Sequence, residues 1–156
     1  RGWVEKKYVT FLEDYVNRWV VTTDKPGSRL NLRAKPAADS VSLGKYYAGT
    51  IAWQQAKPRN GYLKVKIGHM VGYMDMRFLE QGLYTPSAEL PLLTVDSASG
   101  TALRKLPESK SAIIKTAPYG AVVTALCVRD DEWVQIMYEN EIGYALSGTM
   151  TPELEF

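Results

Sequence analysis

Tyr62-Leu63-Lys64-Val65-Lys66-Ile67-Gly68-His69-Met70-Val71-Gly72-Tyr73-Met74 decides the fold. In its first half Leu63, Val65 and Ile67 alternate with Tyr62, Lys64 and Lys66. A period of two over six residues predicts a half-buried β-strand. Gly68-His69 predicts a tight turn, and Val71-Gly72-Tyr73-Met74 a second strand, so the stretch reads as a hairpin. Trp133-Val134-Gln135-Ile136-Met137-Tyr138 repeats the phase, with Glu139-Asn140-Glu141 as its turn.

The two hairpins belong to a longer repeat. At a shift of 71 positions, Leu32, Arg33, Pro36, Ser40, Gly49, Gly72 and Tyr73 fall without a gap on Leu103, Arg104, Pro107, Ser111, Gly120, Gly143 and Tyr144. A period this long is a small domain rather than a solenoid unit, whose usual period is about 20–50 residues. Further strands are expected at Gly49–Gln54 and Gly120–Leu126, each opening on a glycine, and at Leu30–Arg33 and Ala102–Arg104. Pro36 and Pro107 stop the latter pair, because proline cannot continue a central strand. The stretches 37–40 and 108–111 read as polar loops. No segment carries a long amphipathic helix. The expected fold is all-β: tandem small barrels of about five strands each, closed or half-closed so that few edges stay exposed.

The expected domains are residues 18–82 and 90–152. Between them, Leu83 and Tyr84 in the linker favour docked rather than freely moving modules. Residues 1–12 echo the end of the first copy: Gly2-Trp3-Val4 resembles Gly72-Tyr73-Met74. They are expected to be the closing strands of an earlier repeat, with at least one more module before Arg1.

Composition narrows the function. A formal charge of +2 without a dense Lys/Arg stripe argues against nucleic acid as the main partner. One cysteine, Cys127, excludes an intrachain disulfide; with a single histidine, His69, it also excludes the common structural zinc sites. Cys127 reads as a small hydrophobe in a strand. No run of about 18 apolar residues is present to span a membrane as a helix. No phosphate loop, nucleophile elbow or metal-binding histidine pair appears, so no enzyme activity and no cofactor are expected. Asp130-Asp131-Glu132 reads as a solvated turn rather than a calcium loop.

The pattern Leu30-Asn31-Leu32-Arg33-Ala34-Lys35-Pro36, Leu43-Gly44, Gly49-Thr50, Gly61-Tyr62-Leu63-Lys64-Val65 and Gly72-Tyr73-Met74 resembles the bacterial SH3-type (SH3b) domain. The second copy keeps Leu103-Arg104, Pro107, Gly120, Trp133-Val134 and Gly143-Tyr144, but loses the Asn and the Thr of the Gly-Thr pair. The resemblance implies SH3-like barrels in an exported bacterial protein, extracellular, surface-bound or periplasmic. It also implies a targeting role on peptidoglycan or its peptides, often beside a hydrolase. Arg33 and Arg104 are expected to tie loops through hydrogen bonds to carbonyls.

Aromatic side chains are the candidate ligand contacts. Tyr62 and Trp133 lie out of phase with the apolar face of their strands, where they can stack on a glycan or peptide or else cover the barrel under a neighbour. Tyr46 and Tyr47 are expected in a loop before Gly49, with Tyr119 as their counterpart. Tyr73 and Tyr144 suit a groove wall or the core. Trp53, in phase with Ile51, reads as core or interface packing. The leading reading is a non-catalytic module whose tandem sites gain avidity on a repetitive wall polymer. The alternative is an interaction or spacer array, favoured by the divergence of Tyr46, Trp53 and Lys57 to Ala117, Thr124 and Val128. A proline-rich peptide reader is weaker, because the loop after Arg33 lacks aromatics.

Overall fold

A computed structural model describes residues 17–23, 28–82 and 90–152. The residue 1–12 echo and the linker's Leu83 and Tyr84 lie outside the described residues.

The described part of the chain is built of β-strands, as expected. In order come β1 (Arg18–Val21), β2 (Arg29–Arg33), β3 (Ser42–Tyr47), β4 (Ile51–Gln54), β5 (Tyr62–Ile67), β6 (Met70–Asp75) and β7 (Leu79–Gln81). Then follow β8 (Leu92–Val95), β9 (Thr101–Arg104), β10 (Ile113–Ala117), β11 (Val122–Ala125), β12 (Cys127–Val128), β13 (Trp133–Tyr138), β14 (Glu141–Leu146) and β15 (Met150–Pro152). One 3₁₀ turn precedes β7 and another precedes β15. The strands form two antiparallel sheets, ordered β12-β3-β2-β6-β5-β4-β1-β7 and β10-β9-β14-β13-β11-β8-β15. Both quoted hairpins form at the expected residues, Tyr62 pairing with Asp75 and Trp133 with Leu146.

The offset of 71 holds in three dimensions. It carries β4, β5, β6 and β7 onto β11, β13, β14 and β15 residue for residue. Arg33 pairs with Tyr73, and Arg104 with Tyr144. Arg33 Nη1 donates to the Ser40 carbonyl and Arg104 Nη1 to that of Ser111, both at 2.9 Å, so each arginine ties its loop as expected. Gly72 and Gly143 let those strands touch: a Cβ on Gly72 would lie 2.8 Å from the Arg33 carbonyl oxygen, and one on Gly143 2.9 Å from Leu103 Cβ. The first strand departs from the offset. Val21 N bonds Thr50 O while Val95 N bonds Ala121 O, so the loop after β1 is longer than that after β8.

One expectation is narrowed and another needs correction. Barrel closure is absent among the described strands: β12 and β7 end one ladder, β10 and β15 the other. The first ladder ends on β12 because this strand from the second half occupies the edge of β3. Trp53 is 39% exposed rather than core, because Ala52 is the inward residue of β4.

Two apolar clusters hold the sheets. Leu103, Val123, Ile136 and Ala145 centre the second. The first gathers Leu32, Tyr46, Leu63, Val65, Ile67 and Met74, and recruits Leu126, Cys127, Met137 and Ile142 from the other half. Each buried branched or aromatic side chain contributes about 1.5–3 kcal/mol by leaving water. That shared packing holds the halves in contact.

Candidate functional site: the seam between the sheets

The seam is built by strand addition. β12 lies antiparallel on β3, with Cys127 opposite Tyr46 and Val128 opposite Lys45. Tyr47 N donates to the Leu126 carbonyl at 3.0 Å. Arg129 Nη1 reaches across to the Leu43 carbonyl at 2.6 Å, while its Nε and Nη2 hold Asp131 at 3.0 and 2.6 Å. Asp131 Oδ1 also accepts from Trp133 N at 3.1 Å, which fixes the start of β13. The acidic run is therefore a braced turn. Among the described residues no cluster of His, Cys, Asp or Glu could hold a metal.

Gln135 is the polar centre of the seam and is fully buried. Its Oε1 accepts the Tyr46 hydroxyl and its Nε2 donates to the Ile67 carbonyl at 2.8 Å. A buried amide needs such partners, since leaving one unmade costs about 1–3 kcal/mol. Gly68 sits at φ 61°, and a Cβ there would lie 2.7 Å from Ile142 Cγ2 and 2.9 Å from Gln135 Nε2. Tyr144 faces Gln135 across the β13–β14 ladder; its buried hydroxyl has no hydrogen-bond partner, and Arg129 Cζ lies 5.4 Å from its ring centroid.

Burial sets the chemistry here. It pushes the Tyr46 hydroxyl well above its usual range and that of Tyr144 up to about 12. Cys127 is buried as expected, and burial pushes its thiol up to about 11. At neutral pH this thiol stays protonated and is a poor nucleophile. His69 lies exposed in the β5–β6 turn. The Arg129 hydrogen bond holds the Asp131 carboxyl below its usual range.

Beside the seam lies a cleft of about 380 Å³, lined by Tyr47, Leu92, Leu93, Trp133, Val134 and Pro152 among others, with Arg129 and Asp131 also on its wall. It offers aromatic and aliphatic surface with one ion pair, a composition suited to holding a ligand. A second, more polar cleft of about 350 Å³ lies on the first sheet, among Asn31, Arg33, Tyr62, Asp75, Arg77 and Phe78. Its counterpart at the 71-residue offset contains Ala102, Arg104, Trp133, Leu146 and Thr149.

The candidate aromatics separate by position. Tyr46 and Tyr47 belong to strand β3, not to a loop, because their backbones pair with β2 and β12. Tyr46 and Tyr144 are fully buried in the seam, so no ligand reaches their faces in this arrangement. Trp133 is 7% exposed and lines the cleft. Tyr47, Tyr62 and Tyr73 are half-buried. The structure brings Tyr47 and Trp133 to one cleft and places Tyr62 in another. Tyr119 is 67% exposed on the Pro118–Gly120 turn, away from these clefts. Sequence reasoning missed Leu92 and Leu93, the walls supplied by β8, and Gln135. The phase of β13 carried the signal for Gln135, since it shares the Trp133 face rather than the Ile136 face.

Residues 99–151 match the family model described as bacterial SH3 domain. Among solved structures, the chain is similar to NlpC2 from Trichomonas vaginalis, with 22% identity, covering 88% of this chain and 48% of that one at a TM-score of 0.41. It is similar also to NlpC1 from the same organism, with 21% identity, covering 86% of this chain and 45% of that one at a TM-score of 0.41. The chain thus spans about half the length of these proteins. No curated protein matches it. The stretch 99–151 that matches the bacterial SH3 domain model runs from before β9 into β15 and carries Gln135 and Trp133.

Proposed function

We propose that the chain is a non-catalytic binding platform made of two docked units of one kind, residues 18–82 and 90–152. It holds bacterial cell-wall peptidoglycan, or the peptides of that polymer, in the cleft between Tyr47 and Trp133. The observation that carries this reading is the cleft itself: an aromatic from each half meets there beside Leu92 and Leu93. Stacking surface of this kind suits sugar rings and short extended peptides. The family match of the second half supports a wall-related role, and with it export to the cell surface, the periplasm or the medium. The 71-residue offset between the sheets supports duplication.

A second reading, a protein-interaction or spacer array, draws on a different observation. The aromatic side chains of Tyr46 and Tyr144 face into the seam, where they stiffen the chain instead of meeting a ligand.

Sedimentation of the protein with purified peptidoglycan separates the two. The binding reading predicts retention that falls about ten-fold in Tyr47→Ala, the scale of losing one aromatic anchor. Retention no greater than that of an unrelated protein of equal charge removes it and leaves the spacer reading.

A further inference from the structure

The seam joins two different surfaces, and among the described residues each half also carries the counterpart of the surface that the other contributes. The first half contributes the edge of β3, with Tyr46, Ile67 and Gly68; the second contributes β12 and the Gln135–Tyr144 face. At the 71-residue offset, the second half's own edge is β10, with Ala117 for Tyr46, Tyr138 for Ile67 and Glu139 for Gly68. Among the described strands β10 ends its ladder, and its Ile113 is 54% exposed. A free strand edge is a template for further pairing.

The first half's own face carries Lys64 for Gln135 and Tyr73 for Tyr144, opposite each other in the β5–β6 ladder. Both are half-buried, where their counterparts are fully buried. Ala56 and Lys57, the counterparts of β12, are exposed. These substitutions compensate one another. In the seam an amide meets a hydroxyl and passes a glycine. On the unused pair an ammonium takes the amide's place, a methyl the hydroxyl's, and a carboxylate the glycine's. Glu139 is 59% exposed and pairs with Lys115 at 2.8 Å; Glu141 adds a second carboxylate to the same corner. The opposing face carries Lys64 and Lys66, with Lys57 and Arg59 beyond them. Pro58 stands where Arg129 stands in the seam, so a ladder there would lack that arginine's bond and rely on charge.

We propose that a second copy of this chain docks head to tail, its Lys64–Tyr73 face against the β10 edge and Glu139 corner of the first. The contact is heterologous, so it extends into chains of copies. It rests on the equivalence of the two halves but not on the ligand reading, because neither Lys64 nor Glu139 lines a cleft described above.

Analytical ultracentrifugation over a concentration series at low salt, where surface charges act at full range, tests this. The wild type should sediment faster as concentration rises. Lys64→Glu and Glu139→Lys should each stay monomeric, since each sets like charges together. Their equimolar mixture should associate again, because reversed faces meet reversed corners and native faces meet native corners in alternation. Near-UV circular dichroism establishes that both variants keep the native fold; if Lys64→Glu does not, Lys64→Gln takes its place and should weaken association of the otherwise native chain. A wild type that is monomeric up to about 1 mM, the limit of a weak contact, overturns the proposal. So do folded charge variants that associate as the wild type does, or a mixture that stays monomeric.

Discussion

Tyr46 of the first sheet donates its hydroxyl hydrogen to Gln135 of the second, and both side chains are fully buried. The donor and acceptor come from opposite halves of the chain, 89 residues apart. A polar link inside an apolar seam selects one relative placement of the halves, because every other placement leaves the amide unpaired.

Tyr46→Phe should therefore destabilise the protein by about 1–3 kcal/mol, the cost of an orphaned buried acceptor. At this chain length each kcal/mol lowers Tm by about 2–4 °C. Tyr144→Phe makes the opposite case. Its hydroxyl is buried without a partner, so its removal should leave stability unchanged or raise it. Urea unfolding of the two variants against wild type checks both signs.

Gly68→Ala should cost more than Gly120→Ala, although both glycines have positive φ, 61° and 85°. The shared backbone penalty is about 1–2 kcal/mol. A Cβ at Gly120 meets nothing within 4 Å, whereas one at Gly68 strikes Ile142 and Gln135. The steric excess should be about 1–3 kcal/mol, read as the difference between the two unfolding midpoints.

Cys127 is a built-in reporter of seam opening. Its side chain is buried in the first half's apolar cluster, opposite Tyr46, and burial pushes its pKa up to about 11. Reaction with a chromogenic disulfide at neutral pH should be slow in the native state. It should be fast in Gly68→Ala under mild urea, where the seam opens before the sheets unfold. Equal rates in native wild type and in urea-unfolded protein would contradict the packing.

Stability should fall at both ends of the pH scale. The Arg129 hydrogen bond lowers the Asp131 carboxyl from 3.8, and the Arg77 hydrogen bond does the same for Asp75. Folded values below the unfolded ones mean that this contribution is complete above pH 3.8 and fades as pH falls through the folded values. Both pairs are exposed enough for solvent to screen them, so the acid loss is modest. Cys127 rises from 9.0 to about 11, so its contribution is complete below pH 9 and fades as pH climbs towards 11. Tyr46 and Tyr144 act in the same alkaline direction from 10.0. Urea midpoints at pH about 3, 7 and 10 map the profile.

The hairpins were legible because strict alternation from Tyr62 to Ile67 leaves one phase for the strand, and Gly68-His69 leaves one place for the turn. Arg33 and Arg104 were legible as loop ties because a guanidinium carries five donors that carbonyls can accept. β3 was not, since Gly44 interrupts its alternation and the paired tyrosines look like loop chemistry. β12 is two residues long and owes its pairing to β3 of the other half, a tertiary contact that local pattern does not encode. The same contact hid the site. Tyr46 read as a loop aromatic and Tyr144 as groove wall or core, because the contact that buries both comes from the other half of the chain. The cleft owes Tyr47 to one half and Trp133 to the other, so no reading of a single copy could assemble it.

Titration of isotopically labelled protein with soluble peptidoglycan fragments, followed by amide chemical shifts, tests the central claim most directly. The account predicts saturable shifts at Tyr47, Leu92, Leu93 and Trp133, lost in Tyr47→Ala. Shifts centred instead on Tyr62 and Arg77, or no shift at millimolar fragment, would contradict it.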